Sequence, residues 1–258
     1  MTMAITNPWV ECFFVGALQM RCSVVTDRET GDTVIIDGGS EPQRLVDWID
    51  RFEGRGPDWS NGPSTTEEAA LEGIPNRKVV ALVNTHAHFD HSGHIPDLLL
   101  HYPVKWYLHE DDTYLQTLAQ SSARRWGFDA PTPAVADEPL VPLTTMAFGA
   151  LSFSILHTPG HTLGGCCLNL IVEDGPNHLF VGDTLFAGSV GRTDLPDTGG
   201  DFDLLASSIH TQLWPLEADT VVYPGHGPLT TIGHERATNP FVGEGAGPGG
   251  MYGRGKYA

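Results

Sequence analysis

Between Thr85 and His91 the chain reads Thr-His-Ala-His-Phe-Asp-His, which places three imidazoles and a carboxylate within six positions, directly after the apolar run Val79-Val80-Ala81-Leu82-Val83. A β-run that stops at such a cluster holds polar side chains on a loop anchored by a rigid element, the usual setting for metal ligands. The same look recurs further along. Thr158-Pro159-Gly160-His161-Thr162 follows the run Leu151 to Leu156, Gly182-Asp183-Thr184 follows Leu179-Phe180-Val181, and Pro224-Gly225-His226-Gly227 follows Val221-Val222-Tyr223. Alone, His161 or His226 would read as a packed histidine and Asp183 as a turn residue or helix cap. Their recurrence after β-runs, in order, reverses that reading.

In this order, H-x-H-x-D-H, a distant His in TPGHT, then GD, then PGH resemble the metallo-β-lactamase superfamily over a span from Val10 to Phe241. Within it, the segment from Gly182 to Asp194, GDTLFAGSVGRTD, is similar to the glyoxalase II-like group, and Glu235-Arg236 and Asn239-Pro240-Phe241 add to that similarity. The resemblance implies an α/β fold: the metallo-β-lactamase αββα sandwich, two mixed β-sheets flanked by helices. It implies that His86, His88 and His161 hold one divalent metal ion and that Asp90, His91 and His226 hold a second. The resemblance further implies that Asp183 bridges the two and that Asp90 and Asp183 are the catalytic carboxylates. Zinc is the first candidate, with iron or manganese as others, since borderline cations accept neutral imidazole and carboxylate. Two such cations share a water and lower its pKa to about 7.

The function this implies is hydrolysis of a small-molecule thioester, an S-acylglutathione or similar S-acyl thiol. A thiolate leaves readily, because a thiol pKa is about 8.5, so no strong general acid is needed. Glyoxalase II proper carries a helical C-terminal domain with basic residues that grip glutathione. Here the chain ends in GEGAGPGGMYGRGKYA, and its lysines are Lys78, Lys105 and Lys256 alone. An alternative resemblance, to persulfide dioxygenases, implies a single Fe²⁺ on His86, His161 and Asp183, but PGHG at His226 favours the hydrolase. A lactonase of the same fold uses the same shared water. A non-catalytic, metal-stabilised binding module would be expected to lack ligands, and all seven positions are filled.

Composition narrows the partners. A net charge of −18 at pH 7 opposes nonspecific nucleic-acid binding, which needs a basic footprint. Met1 to Pro8 has neither a basic start nor a long apolar stretch, which predicts no secretion signal, no membrane span and a cytoplasmic protein. Cys12, Cys22, Cys166 and Cys167 form no C-x-x-C pair and read as small buried strand residues. Cys166 and Cys167 would face opposite sides of a sheet. Residues 1–242 read as a single domain, and the Gly-rich residues 243–258 as a mobile tail.

Other residues carry two readings each. Asp37, at the end of the run Thr33 to Ile36, either supports the metal site or bonds the backbone of the Gly38-Gly39 turn, and the turn is preferred. Arg124-Arg125 beside Trp126 would hold an anionic substrate tail or be a solvated pair. Arg192 would meet a substrate carboxylate or pair with Asp194 to fix its loop. Tyr223 would donate a hydrogen bond near the second metal or pack as a strand tyrosine. His157 reads as a packed strand-end residue. His94, His101, His109, His178, His210 and His234 stand outside any motif. Glu53 to Arg77 reads as a surface insertion, and Ser121 to Met146 shows no regular periodicity.

Overall fold

The computed structural model of the protein describes residue 5 and residues 8–50 and 77–247. The expected insertion from Glu53 lies outside the described residues as far as residue 76, as does the tail from residue 248.

Six strands hydrogen-bond in sequence order to make the first sheet: β1 (Trp9–Val15), β2 (Met20–Thr26), β3 (Asp32–Ile36), β4 (Lys78–Val83), β5 (Lys105–Leu108) and β6 (Glu138–Pro139). The first three are antiparallel neighbours, while β4, β5 and β6 add in parallel. The second sheet is built from β7 (Thr145–Phe148), β8 (Leu151–His157), β9 (Cys166–Leu170) and β10 (His178–Gly182). After a hairpin of β11 (Leu185–Phe186) and β12 (Ser189–Val190) it is completed by β13 (Val221–Pro224) and β14 (Thr230–Thr231). Its spatial order is β14-β13-β10-β9-β8-β7, with β10 and β13 parallel and the other pairs antiparallel.

Alternation along each strand sorts the side chains into layers. In β3 and β4, Val34, Ile36, Ala81 and Val83 face the other sheet and meet Phe153, Ile155, Leu168 and Phe180. Ile35 and Leu82 point the other way, where α1 (Pro42–Asp50) supplies Leu45 and Ile49. After the short α2 (Phe89–Ser92), α3 (Ile95–His101) adds Ile95 and Leu98 to the same layer. The outer face of the second sheet puts Leu179, Val181 and Val222 against Leu205, Ile209, Leu213 and Ile232. These last come from α6 (Phe202–Ser208) with its continuing turn and from α7 (Ile232–Thr238). The result is the αββα sandwich with two mixed sheets. Cys166 lies in the inter-sheet layer and Cys167 in the outer one, on opposite faces as expected.

The stretch Ser121 to Met146 is more regular than its sequence suggests. Behind α4 (Thr113–Thr117), α5 (Ala119–Arg125) runs into it, and β6 and the start of β7 lie within it. The helix escapes a periodicity argument because only Ala119 and Ala123 of its AQSSARR are buried. Two alanines one turn apart make no apolar stripe.

At the far end, the Gly243 amide bonds to Asn239 O at 2.9 Å and the Glu244 amide to Arg236 O at 2.8 Å. Among the described residues no helix is long and apolar enough to cross a membrane.

Candidate metal centre

The carboxyl ends of β4, β8, β10 and β13 converge, one from the first sheet and three from the second. They carry the loops with His86 to His91, His161, Asp183 and His226. His86 Nε2 and His161 Nε2 lie 3.0 and 2.9 Å from His88 Nδ1. His91 Nε2 is 3.3 Å from Asp183 Oδ1 and 3.8 Å from Asp90 Oδ2. His226 Nε2 is 3.2 Å from Asp90 Oδ2 and 3.7 Å from Asp183 Oδ2, and His161 Nε2 is 3.5 Å from Asp183 Oδ2. All seven predicted side chains therefore gather, with Asp183 between an all-imidazole group and a group of His91, His226 and Asp90.

The remote ring nitrogens settle the tautomers. His161 Nδ1 donates to Arg192 O at 2.6 Å and His226 Nδ1 to Leu18 O at 3.1 Å. His91 Nδ1 donates to Asp37 Oδ2 at 3.0 Å. The Thr85 hydroxyl spends its proton on Asp37 Oδ2 at 2.7 Å, so His86 Nδ1 donates to that hydroxyl at 3.1 Å. In the neutral rings each inward nitrogen is then a bare lone pair. Two of them face His88 Nδ1, which has at most one proton to share, and the others face carboxylates. Among the described residues His88 Nε2, His91 Nε2 and Asp183 Oδ1 are buried with no hydrogen-bond partner. Lone pairs aimed at one another and at carboxylates fit divalent cations, which satisfy all of them at once.

The same geometry bends the titration of these groups. Burial, then the neighbouring His161, lowers the His88 pKa to about 3. Burial opposes charge on His91 as well, yet Asp183, Asp90 and Asp37 outweigh it and push its pKa well up. Burial also disfavours an ionised Asp183, but the rings of His91, His226 and His161 prevail and hold its carboxyl well below the usual range. A centre that demands positive charge on a buried imidazole is one where a cation can replace the proton.

Supporting residues reach the site from elsewhere in the chain. Asp37 does not serve the Gly38-Gly39 turn as expected. Its Oδ1 accepts from the Thr85 amide at 2.8 Å and Asn84 Nδ2 at 3.1 Å, and its Oδ2 serves Thr85 and His91. The turn reading fails because Asp37 adopts a left-handed conformation, φ 58°, that sends the carboxylate under the His loop. Asp112 ties the loop of His86 and His88 to the loop of His161, accepting from the Ala87 amide at 2.9 Å, Thr162 Oγ1 at 3.0 Å and the Gly164 amide at 2.7 Å. Arg21 donates from Nε to Pro224 O at 2.9 Å and from Nη2 to Gly227 O, fixing the turn of His226. Buried Glu235 accepts from the Gly188 amide at 2.9 Å and from Asn239 Nδ2 at 2.8 Å, steadying the loop beyond Asp183. Asp37, Asp112 and Arg21 lie in no motif that announces them, whereas Glu235 belongs to the Glu235-Arg236 pair of the resemblance. Gly225 is required by space, since a Cβ there would sit 2.3 Å from Asp183 Oδ1.

A cavity of about 380 Å³ opens over His88, Asp90, His161, Asp183 and His226. Arg125 and Arg192 line it, each engaged by a carboxylate: Arg125 Nη1 is 3.3 Å from Asp197 Oδ2, and Arg192 grips Asp194 at 2.8 and 3.0 Å. Arg124 is exposed and lies outside the cavity lining. Tyr223 does not reach it either: its hydroxyl meets His178 Nδ1 at 2.8 Å and its ring stacks on Phe180 between the sheets. His157 stacks on His109 with centroids 4.3 Å apart and donates to Leu163 O.

The family model described as the metallo-beta-lactamase superfamily matches residues 15–226. The chain belongs to this superfamily. Among its relatives, a protein of Haemophilus influenzae named hydroxyacylglutathione hydrolase GloC is 35% identical over 235 residues, covering 90% of this chain and 97% of that one. Of solved structures, the BLEG-1 B3 metallo-beta-lactamase superposes with a TM-score of 0.71 at 31% identity, covering 91% of this chain and 99% of that one. TTHA1623 in a di-iron-bound form gives 0.68 at 35% identity, covering 89% and 98%.

Proposed function

We propose that the protein is a metal-dependent thioester hydrolase that cleaves small S-acyl thiols at a dinuclear centre. One observation carries the reading: two ligand groups, His86-His88-His161 and Asp90-His91-His226, meet across the single carboxylate of Asp183. Zinc and iron both suit this donor set, and the di-iron form of TTHA1623 keeps iron a candidate. The resemblance to GloC supports the thioester as substrate.

Bound at these groups, two divalent cations would supply an acidified water and a Lewis acid for the carbonyl oxygen. The chain's own residues do the rest. Asp90 and Asp183 are the acids lining the cavity, and Asp90 is placed to hold the attacking water's proton. Phe89, Leu115 and Trp126 shield the reacting carbonyl from bulk water. In the reaction the water oxygen bonds to the acyl carbon and the C–S bond breaks. The sulfur departs with the electron pair as thiolate, and the products are the carboxylic acid and the thiol. A leaving group of pKa about 8.5 suits a cavity that, among the described residues, offers no further proton donor of the carboxyl or lysine kind. Four cysteines without a disulfide fit a reducing cytoplasm.

Thiol release from a thioester panel by zinc- or iron-loaded protein tests this reading. Activity above background, lost together with metal in Asp183→Ala, is the expected result. An Asp183→Ala protein with full activity and full metal would overturn it. The mononuclear iron dioxygenase reading needs only His86, His161 and Asp183 and leaves the convergence of Asp90, His91 and His226 without a role. Oxygen consumption with a persulfide substrate tests that alternative, and a lactone in the panel tests the lactonase.

A further inference from the structure

The two sides of the cavity differ from the metal centre below in chemistry. Beside His226 stand Leu18, whose carbonyl receives the His226 ring, and Phe186, whose ring centroid is 6.3 Å from that of His226. Leu115 and Trp126 from the α4–α5 region and Leu195 and Pro196 of the loop after β12 line the same cavity as His161. That loop is tied to His161 through Arg192 O and to the end of α5 through Arg125 and Asp197. Trp126 is 56% exposed, a large aromatic face at the mouth of an apolar cleft.

Charge points the same way. Among the described residues the cationic ones of the lining are Arg125 and Arg192, and each already has a carboxylate, Asp197 or Asp194. A carrier with two carboxylates, such as glutathione, must displace one of these acids from its arginine. It must also approach a chain of 32 acidic and 14 basic residues. An uncharged carrier meets neither cost.

We infer that the cavity takes a thioester whose acyl group is apolar and whose thiol carrier is uncharged, and that Trp126 is the wall that sets the acyl preference. This rests on the thioesterase reading and narrows it. The acyl chain lies along Trp126, Leu115, Leu195 and Pro196, while the carbonyl faces Asp90 and His161. Each methylene buried there contributes selectivity that a hydroxyacyl group forgoes.

The test pairs two acyl groups, hexanoyl and lactoyl, with two thiols, N-acetylcysteamine and glutathione, on the metal-loaded full chain. Hexanoyl-N-acetylcysteamine should show the highest kcat/KM, with each single exchange of acyl group or carrier lowering it about tenfold. Added salt should raise kcat/KM for the glutathione esters by screening repulsion. In Trp126→Ala the ratio of hexanoyl to acetyl kcat/KM should fall about fivefold. A preference for lactoylglutathione, or a glutathione rate that falls with salt, overturns the inference and leaves the thioesterase reading standing. An unchanged acyl ratio in Trp126→Ala overturns the role of that wall. If none of the four esters is cleaved, the thioesterase reading falls, and calorimetric binding of the unreactive S-hexyl thioethers of the two thiols decides the pocket. Tighter binding of the N-acetylcysteamine thioether sustains the preference, and equal or tighter binding of S-hexylglutathione overturns it.

Discussion

Asp37 Oδ2 lies 3.0 Å from His91 Nδ1, and both side chains are buried beneath the candidate metal centre. The contact fixes which nitrogen of His91 carries the proton and so aims the other at Asp183. Orientation of a ligand imidazole by a carboxylate commonly changes metal affinity by about 10–100-fold. Asp37→Ala should therefore lower affinity by that factor, read by competition with a chromogenic chelator. It should also cost about 2–4 kcal/mol of stability in urea, because the Thr85 and Asn84 donors lose their acceptor. Unchanged affinity in a folded variant would contradict this role.

Asp112 joins the loop of His86 and His88 to the loop of His161 through three hydrogen bonds from Ala87, Thr162 and Gly164. It is buried, and removing it strands two amides and a hydroxyl. Asp112→Ala should lower the urea midpoint by the equivalent of about 2–4 kcal/mol, and it should loosen metal binding without touching a ligand. Wild-type stability would show that the two loops are held by other means.

Gly225 packs against the Asp183 carboxylate. In Gly225→Ala the new methyl would meet Asp183 Oδ1 at 2.3 Å and His91 Cε1 at 2.7 Å, so one ligand must move. A misplacement of about 1 Å at a catalytic group costs on the order of 10²-fold in rate. Activity should fall by at least that much, with metal content reduced by elemental analysis, while circular dichroism stays native.

The Arg125–Asp197 pair at the rim is 3.3 Å long and exposed on both sides. Solvated pairs contribute little, so Arg125→Ala should change unfolding free energy by less than about 0.5 kcal/mol. A larger loss would mean that the pair, rather than local packing, holds the loop of Leu195 and Pro196 to α5.

The sequence announces the site better than its supports. His86, His88, Asp90, His91, His161, Asp183 and His226 stand directly after apolar β-runs, and strand ends are where the sandwich brings loops together. Asp37 and Asp112 act on groups 25 to 54 residues away, and no local pattern encodes such a pairing. Arg21 is legible only as a strand residue, because its partners Pro224 and Gly227 lie at the end of β13 in the other sheet and in the turn that follows it. Tyr223 shows the opposite failure: its place before PGHG suggests the site, but strand alternation turns its ring between the sheets. Helix α5 is hidden because two alanines bury too little to imprint a period.

The central claim is that Asp183 joins two metal sites in one centre. Metal content per chain, measured by elemental mass spectrometry on protein produced with zinc, iron and manganese all supplied, tests it most directly. Close to two equivalents are expected in the native chain, and a loss of both in Asp183→Ala. One equivalent, chiefly iron, unchanged by substitution of His226 or Asp90, would contradict it.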